Sequence, residues 1–280
     1  MRLTDVQNEA ANFIDGPCLV LAVPGAGKTT MLLERIKILS KFTRPEKILT
    51  LTFSRTQALD MKNRYGDNNT SIMTIHAFCY LIIRNYLKKS HRELRLLESD
   101  DAYNKYDLLR RIYLNINKKK ISREDLMTFF TETSYMKNAM LDGSYLKNIR
   151  IKNIEKVYQT YEDFKKSNNY IDFDDMQTLA LKLLEENPNL LRSIHRRYQY
   201  FQLDEGQDTS LLQFKILKKI VGLNNNLMVV ADDDQSIYSF RGAEPDYLLN
   251  FKAHYPGARL IIMNENHRSS KNICELAEAF

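Results

Sequence analysis

Cys18-Leu19-Val20-Leu21-Ala22-Val23-Pro24-Gly25-Ala26-Gly27-Lys28-Thr29-Thr30 runs from a short apolar stretch through a glycine-bearing turn into a helical pattern. The apolar part is too short and too branched for a helix and reads as a buried strand. Gly25 and Gly27 let backbone amides curl around a phosphate, and the helix that follows turns its positive dipole end toward the same point. In that context Lys28 reaches the β- and γ-phosphates of a nucleotide and the Thr29 hydroxyl ligates Mg²⁺. Residues 22–29 meet the phosphate-loop pattern loosely, because Ala22 stands where the first glycine is usual. The bland alternative is that Gly-Ala-Gly merely turns a strand into a helix.

Working outward, further apolar runs with turn or polar flanks occupy 48–53, 71–75, 200–203, 227–231 and 260–263. Helical patterns such as 29–41 and 55–65 alternate with them, which predicts an α/β fold: a parallel sheet covered by helices on both faces. Between about 79 and 197 the strand-like runs stop and long helical patterns take over, as at 100–114, 123–131 and 149–167. The expected organisation is a nucleotide-binding lobe in two parts, 1–83 and 197–262, with an inserted all-helical subdomain at 84–196.

The chain carries 41 Lys/Arg against 35 Asp/Glu, a net charge of +6, which suits a polyanionic partner without being a basic tail. Residues 84–166 hold 19 basic and 12 acidic side chains, either a solvated helical face or a phosphate-contacting surface. Cys18, Cys79 and Cys274 are too far apart for a metal site or disulfide framework, and no apolar run approaches the roughly 20 residues of a membrane span. A reducing, cytoplasmic setting with no membrane partner is the expectation.

Phe201-Gln202-Leu203-Asp204-Glu205 places two carboxylates at the end of an apolar run. A phosphate-loop ATPase needs an acid there to hold Mg²⁺, fitting Asp204, and another to orient the attacking water, fitting Glu205. With Gly206-Gln207-Asp208-Thr209 behind it, this stretch resembles motif II of superfamily 1 DNA helicases of the UvrD/Rep family. Ala231-Asp232-Asp233-Asp234-Gln235-Ser236-Ile237-Tyr238-Ser239-Phe240-Arg241-Gly242-Ala243 resembles motif III of that family almost throughout. In the expected order, Leu3-Thr4-Asp5-Val6-Gln7 resembles the Q motif and Thr50-Leu51-Thr52-Phe53-Ser54-Arg55 motif Ia. Thr74-Ile75-His76-Ala77-Phe78 is similar to motif Ib, and Asn266-His267-Arg268-Ser269-Ser270 to motif IV.

The resemblance implies a RecA-like P-loop NTPase fold, with 263–280 as the truncated start of a second motor lobe, ATP and Mg²⁺ as cofactors, and DNA, single-stranded and duplex, as partner. Lys28, Glu205, Gln235 and Arg268 would be catalytic, with Gln235 sensing the γ-phosphate and Arg268 placed on it. The nucleotide would lie against Gln7, the 22–29 loop (Ala22, Val23, Pro24, Gly25, Ala26, Gly27, Lys28, Thr29), Thr30 and His267, with Thr29 and Asp204 on the metal. Gln7 would read the adenine edge, although Thr4-x-x-Gln7 is equally a capping box. An aromatic at Phe240 would stack on bases beside Tyr238 and Arg241, unless both rings pack into the core. Phe53, Ser54, His76 and Phe78 would line the strand, with His76 also readable as a structural histidine. Asp172-Phe173-Asp174-Asp175 reads as a helix cap through Asp172.

Three positions depart from the family pattern. His267 stands where a tyrosine usually stacks on adenine, Thr30 where an arginine is frequent, and Gly206 where the residue is usually bulky. No segment up to Phe280 supplies motifs V and VI, so the expectation is a piece of a longer protein that alone hydrolyses Mg-ATP poorly. The whole would be a 3′ to 5′ helicase and single-strand translocase. The alternatives are a phosphate-loop switch that never touches nucleic acid, and a nucleotide-switched DNA- or protein-binding module without unwinding.

Overall fold

The computed structural model describes residues 3–66, 69–90, 93–99, 104–232, 245–270 and 272–273. The chain begins with α1 (Asp5–Asn12), β1 (Cys18–Ala22), α2 (Lys28–Leu39), β2 (Ile48–Thr52), α3 (Arg55–Tyr65), β3 (Ser71–Thr74) and α4 (Ile75–Ser90). The middle holds β4 (Arg95–Leu96), α5 (Lys105–Asn117), α6 (Arg123–Asn138), α7 (Ile154–Ser167), β5 (Tyr170–Ile171), α8 (Phe173–Glu186) and α9 (Pro188–Arg197). After it come β6 (Tyr200–Leu203), α10 (Leu211–Val221), β7 (Leu227–Ala231), α11 (Pro245–Leu249), α12 (Phe251–His254) and β8 (Arg259–Met263).

Six strands form one sheet in the order β3-β2-β6-β7-β1-β8, and every ladder in it is parallel. All six carboxyl ends therefore share one edge, where open α/β sheets bind ligands. Side chains alternate across the strands as the two-residue period requires. Leu19, Leu49, Leu51, Phe201, Leu203 and Val229 face a layer that includes α4, α8 and α10. Cys18, Val20, Met228, Val230 and Ile261 face the opposite layer, built from α1, α2 and α3.

A polar tie crosses that second layer. Arg35 of α2 is completely buried; its Nη1 donates to Gln202 Oε1 at 3.0 Å and its Nε to the Phe13 carbonyl at 3.0 Å. Gln202 Nε2 in turn donates to Thr50 Oγ1 at 2.8 Å. Burial pulls the guanidinium down only to about 10, so it stays charged at neutral pH.

The helical segment has its own core. Leu109, Phe129, Val157 and Tyr161 pack between α5, α6 and α7, and that apolar cluster runs from Leu97 to Tyr170. It is narrower than 84–196. Helix α4 crosses position 84 unbroken, with Ile82 and Ile83 already in the sheet's core, while α8 and α9 return Met176, Ala180, Leu184 and Ile194 to that core. The segment is also not wholly helical, since β4 and β5 form a short parallel ladder, Arg95 to Tyr170 and Leu96 to Ile171. Two lysines brace it: Lys165 Nζ lies 2.6 Å from both Asp172 and Asp175, and Lys137 Nζ lies 2.7 Å from Asp175 and 3.0 Å from Glu162. Although burial works to raise it, these two ammonium groups hold Asp172 well below the usual carboxylate range. Asp172 also caps α8, its side chain accepting from the Asp175 N–H, as the sequence pattern implied.

Candidate functional site

The turn after β1 is possible because its glycines take left-handed backbone, φ +75° at Gly25 and +80° at Gly27. A Cβ at Gly27 would lie 2.6 Å from Gln7 Nε2, and one at Gly25 would lie 2.5 Å from Asn266 Oδ1. The loop is thus gripped from both sides. Gln7 Nε2 donates to the Ala26 carbonyl at 2.9 Å, while its Oε1 accepts from the Thr4 N–H within the α1 capping box. On the other side, the His267 N–H donates to the Gly25 carbonyl at 3.0 Å. The structure uses Gln7 as cap and loop support together.

Pro24, Gly25, Gly27, Lys28, Thr29, Thr30, Glu205 and Arg268 converge on one cavity of about 150 Å³. That is below the roughly 300–1,000 Å³ of a pocket engulfing a whole drug-sized ligand, and suits a polyphosphate tail. Arg64, from the last turn of α3, is a lining residue that the sequence reading missed, and its Nη2 donates to Thr30 Oγ1 at 2.8 Å. Ala22 and Ala26 are buried and supply backbone and packing only; Val23 N–H donates to the Met263 carbonyl, tying the loop to β8. Exposed His267 has its Nε2 3.7 Å from Glu265.

The acids sit at the ends of β6 and β7. Asp204 is 2% exposed, and its Oδ1 accepts from the Glu205 N–H at 3.1 Å. Burial, then the neighbouring Glu205 charge, push its carboxyl up to about 7 against the opposing pull of Lys28. Asp208 is pushed up to about 6 by burial and by Glu205. Glu205 has left-handed backbone, φ +54°, which turns its side chain toward Lys28 at 3.7 Å. Its Oε2 accepts from Gln207 Nε2 at 2.7 Å and its Oε1 from Gln57 Nε2 at 3.3 Å.

Lys28 has its shortest ionic contact with Asp232, just past β7, at 3.1 Å. Gln207 ties the two acids together, because its Oε1 also accepts the Asp232 N–H at 2.9 Å. The sequence reading assigned no role to Gln57, Gln207 or Asp232. Gln57 left one legible signal, the Ser54-x-x-Gln57 capping pattern.

Of the residues expected along a nucleic-acid strand, Phe53 and His76 are half-buried and line a cleft of about 550 Å³ between the sheet's carboxyl edge and the helical segment, with Lys105, Tyr106 and Lys137 across it. Burial, and then the Arg55 charge, lower the His76 pKa, so it accepts at Nε2 from the Gln177 amide 3.0 Å away. Ser54 caps α3 with its hydroxyl. Phe78 is a correction: it is 1% exposed, edge-on to Tyr198 in the core. Ile75, Phe78, Cys79, Ile82 and Ile83 share the buried stripe of α4, so the ring points away from the edge. Gln235, Tyr238, Phe240 and Arg241 lie outside the described residues.

The family description "UvrD/REP helicase N-terminal domain" matches residues 3–256. Curated relatives include an ATP-dependent DNA helicase PcrA of Bacillus subtilis, 33% identical over 98% of this chain and 39% of its own length. An ATP-dependent DNA helicase Rep of Buchnera aphidicola is 32% identical over all of this chain and 43% of its own. A probable DNA helicase II homolog of Mycoplasma capricolum is 33% identical over 99% of this chain and 40% of its own. The chain thus spans about two fifths of the length of these relatives.

Proposed function

This chain belongs to the UvrD/REP helicase family, and on that premise we propose that it is the nucleotide-binding part of an ATP-dependent 3′ to 5′ DNA helicase. The protein would hydrolyse Mg-ATP, move along single-stranded DNA and separate duplex. The observation that carries this reading is the cavity in which the loop lysine Lys28, Thr29, Glu205 and Arg268 face one another at the carboxyl edge of a parallel sheet. No helix among the described residues is long and apolar enough to cross a membrane.

The donor set fits a magnesium ion. Thr29 and Asp204 offer hard oxygen ligands, and an adjacent dication would favour the charged form of a carboxylate that burial otherwise pushes up to about 7. Bound magnesium would neutralise charge building on the phosphates as they part. Lys28 holds the phosphate tail, and Arg64 and Arg268 add positive charge around it. Glu205 orients the water, fixed by the amides of Gln57 and Gln207. Gln7 supports the loop and reads adenine with its remaining amide hydrogen. Phe53, His76, Tyr238, Phe240 and Arg241 serve the strand, and Gln235 links it to the γ-phosphate.

ATP hydrolysis by the full gene product, with and without single-stranded oligonucleotide, tests the proposal. Stimulation by the strand, lost in Lys28→Ala and Glu205→Gln, is expected. Hydrolysis indifferent to the strand would assign the protein to the nucleotide switches instead.

A further inference from the structure

Glu205 is held on both of its oxygens by primary amides from two different elements. Gln207 Nε2 lies 2.7 Å from Oε2, which also faces Lys28 at 3.7 Å, so that oxygen is shared. The Oε1 oxygen accepts from Gln57 Nε2 at 3.3 Å. Gln57 belongs to the first turn of α3, and its other amide atom, Oε1, accepts the Ser54 N–H at 3.1 Å. Its own N–H donates to Ser54 Oγ at 3.1 Å. One side chain therefore spans from the backbone just after Phe53 to the carboxylate at the end of β6. When phosphates engage Lys28, these two amides are what remains among the described residues to aim Glu205.

We propose that Gln57 is a positioning residue for Glu205, fixing the carboxylate's rotation for the attacking water and linking it to the strand-facing turn at Phe53–Ser54. The inference rests on the reading of Glu205 as the water-orienting acid. A carboxylate held at only one oxygen swings about its last bond, whereas donors on both oxygens fix the lone pair that meets the water. Gln57 is not among the residues lining the phosphate cavity. Its loss therefore acts on turnover and leaves nucleotide capture intact.

The test separates this role from simple capping. Glutamate is as good as glutamine at the third position of a capping box. Gln57→Glu thus keeps the acceptor for the Ser54 N–H but replaces the donor to Glu205 with a second carboxylate oxygen that repels it, whereas Gln57→Ala removes both the acceptor and the donor. Strand-stimulated ATP turnover is measured for the full gene product and both variants, beside thermal melts. For Gln57→Glu the expected result is a fall in kcat of about tenfold with KM for ATP within about twofold, at an assay temperature where the melts show the variant fully folded. Its loss equals or exceeds that of Gln57→Ala. Wild-type kcat in Gln57→Glu, or a defect confined to KM, overturns the inference. If Lys28→Ala still abolishes turnover in that case, the functional reading stands without it; if Lys28→Ala is also indifferent, both fall.

Discussion

Lys28 Nζ, at the start of α2, lies 3.1 Å from Asp232 Oδ2 at the end of β7, and β7 is hydrogen-bonded beside the strand that delivers the lysine. The ammonium is therefore the positive centre of an acidic rim that also contains Glu205 at 3.7 Å. Lys28→Ala should lower ATP turnover by about 100-fold or more. The same substitution should cost more stability at pH 8 than at pH 5, because Lys28 opposes the upward push on Asp204 and Asp208. Paired thermal melts at the two pH values check it; an equal or smaller loss at pH 8 would show the rim to be electrostatically indifferent to Lys28.

Asp204 gives the magnesium-free protein a definite pH slope. Its folded value is about 7 against an ordinary 3.8, so between those limits the folded state holds a proton that the unfolded chain has released. Stability contributed by this group is therefore present at low pH and lost as pH rises from about 4 to about 7, by up to about 4 kcal/mol. Asp204→Asn should flatten that limb and raise the melting temperature at pH 8 in the presence of a chelator, while abolishing magnesium-dependent hydrolysis.

Gln7 carries both the α1 cap and a hydrogen bond to the Ala26 carbonyl in the glycine turn after β1. Gln7→Ala should destabilise the protein by about 1–2 kcal/mol and weaken nucleotide binding, read by titration calorimetry. Gly27→Ala should do more damage to binding. It strains a φ of +80° and drives a methyl to 2.6 Å from the same amide.

Phe78 and Phe53 should respond oppositely. Phe78→Ala removes a ring from a closed core and should cost about 3–5 kcal/mol with strand affinity unchanged in the folded fraction. Phe53→Ala should weaken binding of a fluorescent single-stranded oligonucleotide with a smaller loss of stability.

Lys165 is 2% exposed, among Glu162, Asp172 and Asp175. Lys165→Met leaves buried carboxylates short of a counter-charge and should cost about 3–5 kcal/mol. The loss should show as early exchange of amide hydrogens in α6 and α7.

The six strands of the main sheet and the glycine turn after β1 were legible because each is a local pattern: a branched apolar run, then turn residues, then a helical stripe. Gln57, Gln207 and Asp232 were not read as parts of the site, since their roles exist only once β2, β6 and β7 lie side by side. Arg64 left no local trace at all, being one basic residue on an exposed helix until the fold brings it to Thr30. Phe78 was misplaced by motif position when helical period alone, with Ile75, Cys79 and Ile82 on the same stripe, assigns it inward. The limits of the helical core were blurred for a related reason: α8 is as helical as α7, and only packing decides which core it joins.

The buried guanidinium of Arg35 has a bearing on how the strands find one another. Thr50 stands directly opposite Gln202 across β2 and β6, and the amide reaches the hydroxyl and the arginine together. Sliding one strand by a single residue would turn Gln202 to the other layer and strand a cation in hydrocarbon. Apolar neighbours such as Leu49 and Leu51 could tolerate mispairing; this trio cannot, so it acts as a checksum on alignment and keeps the two acids of the β6 terminus level with the glycine turn after β1.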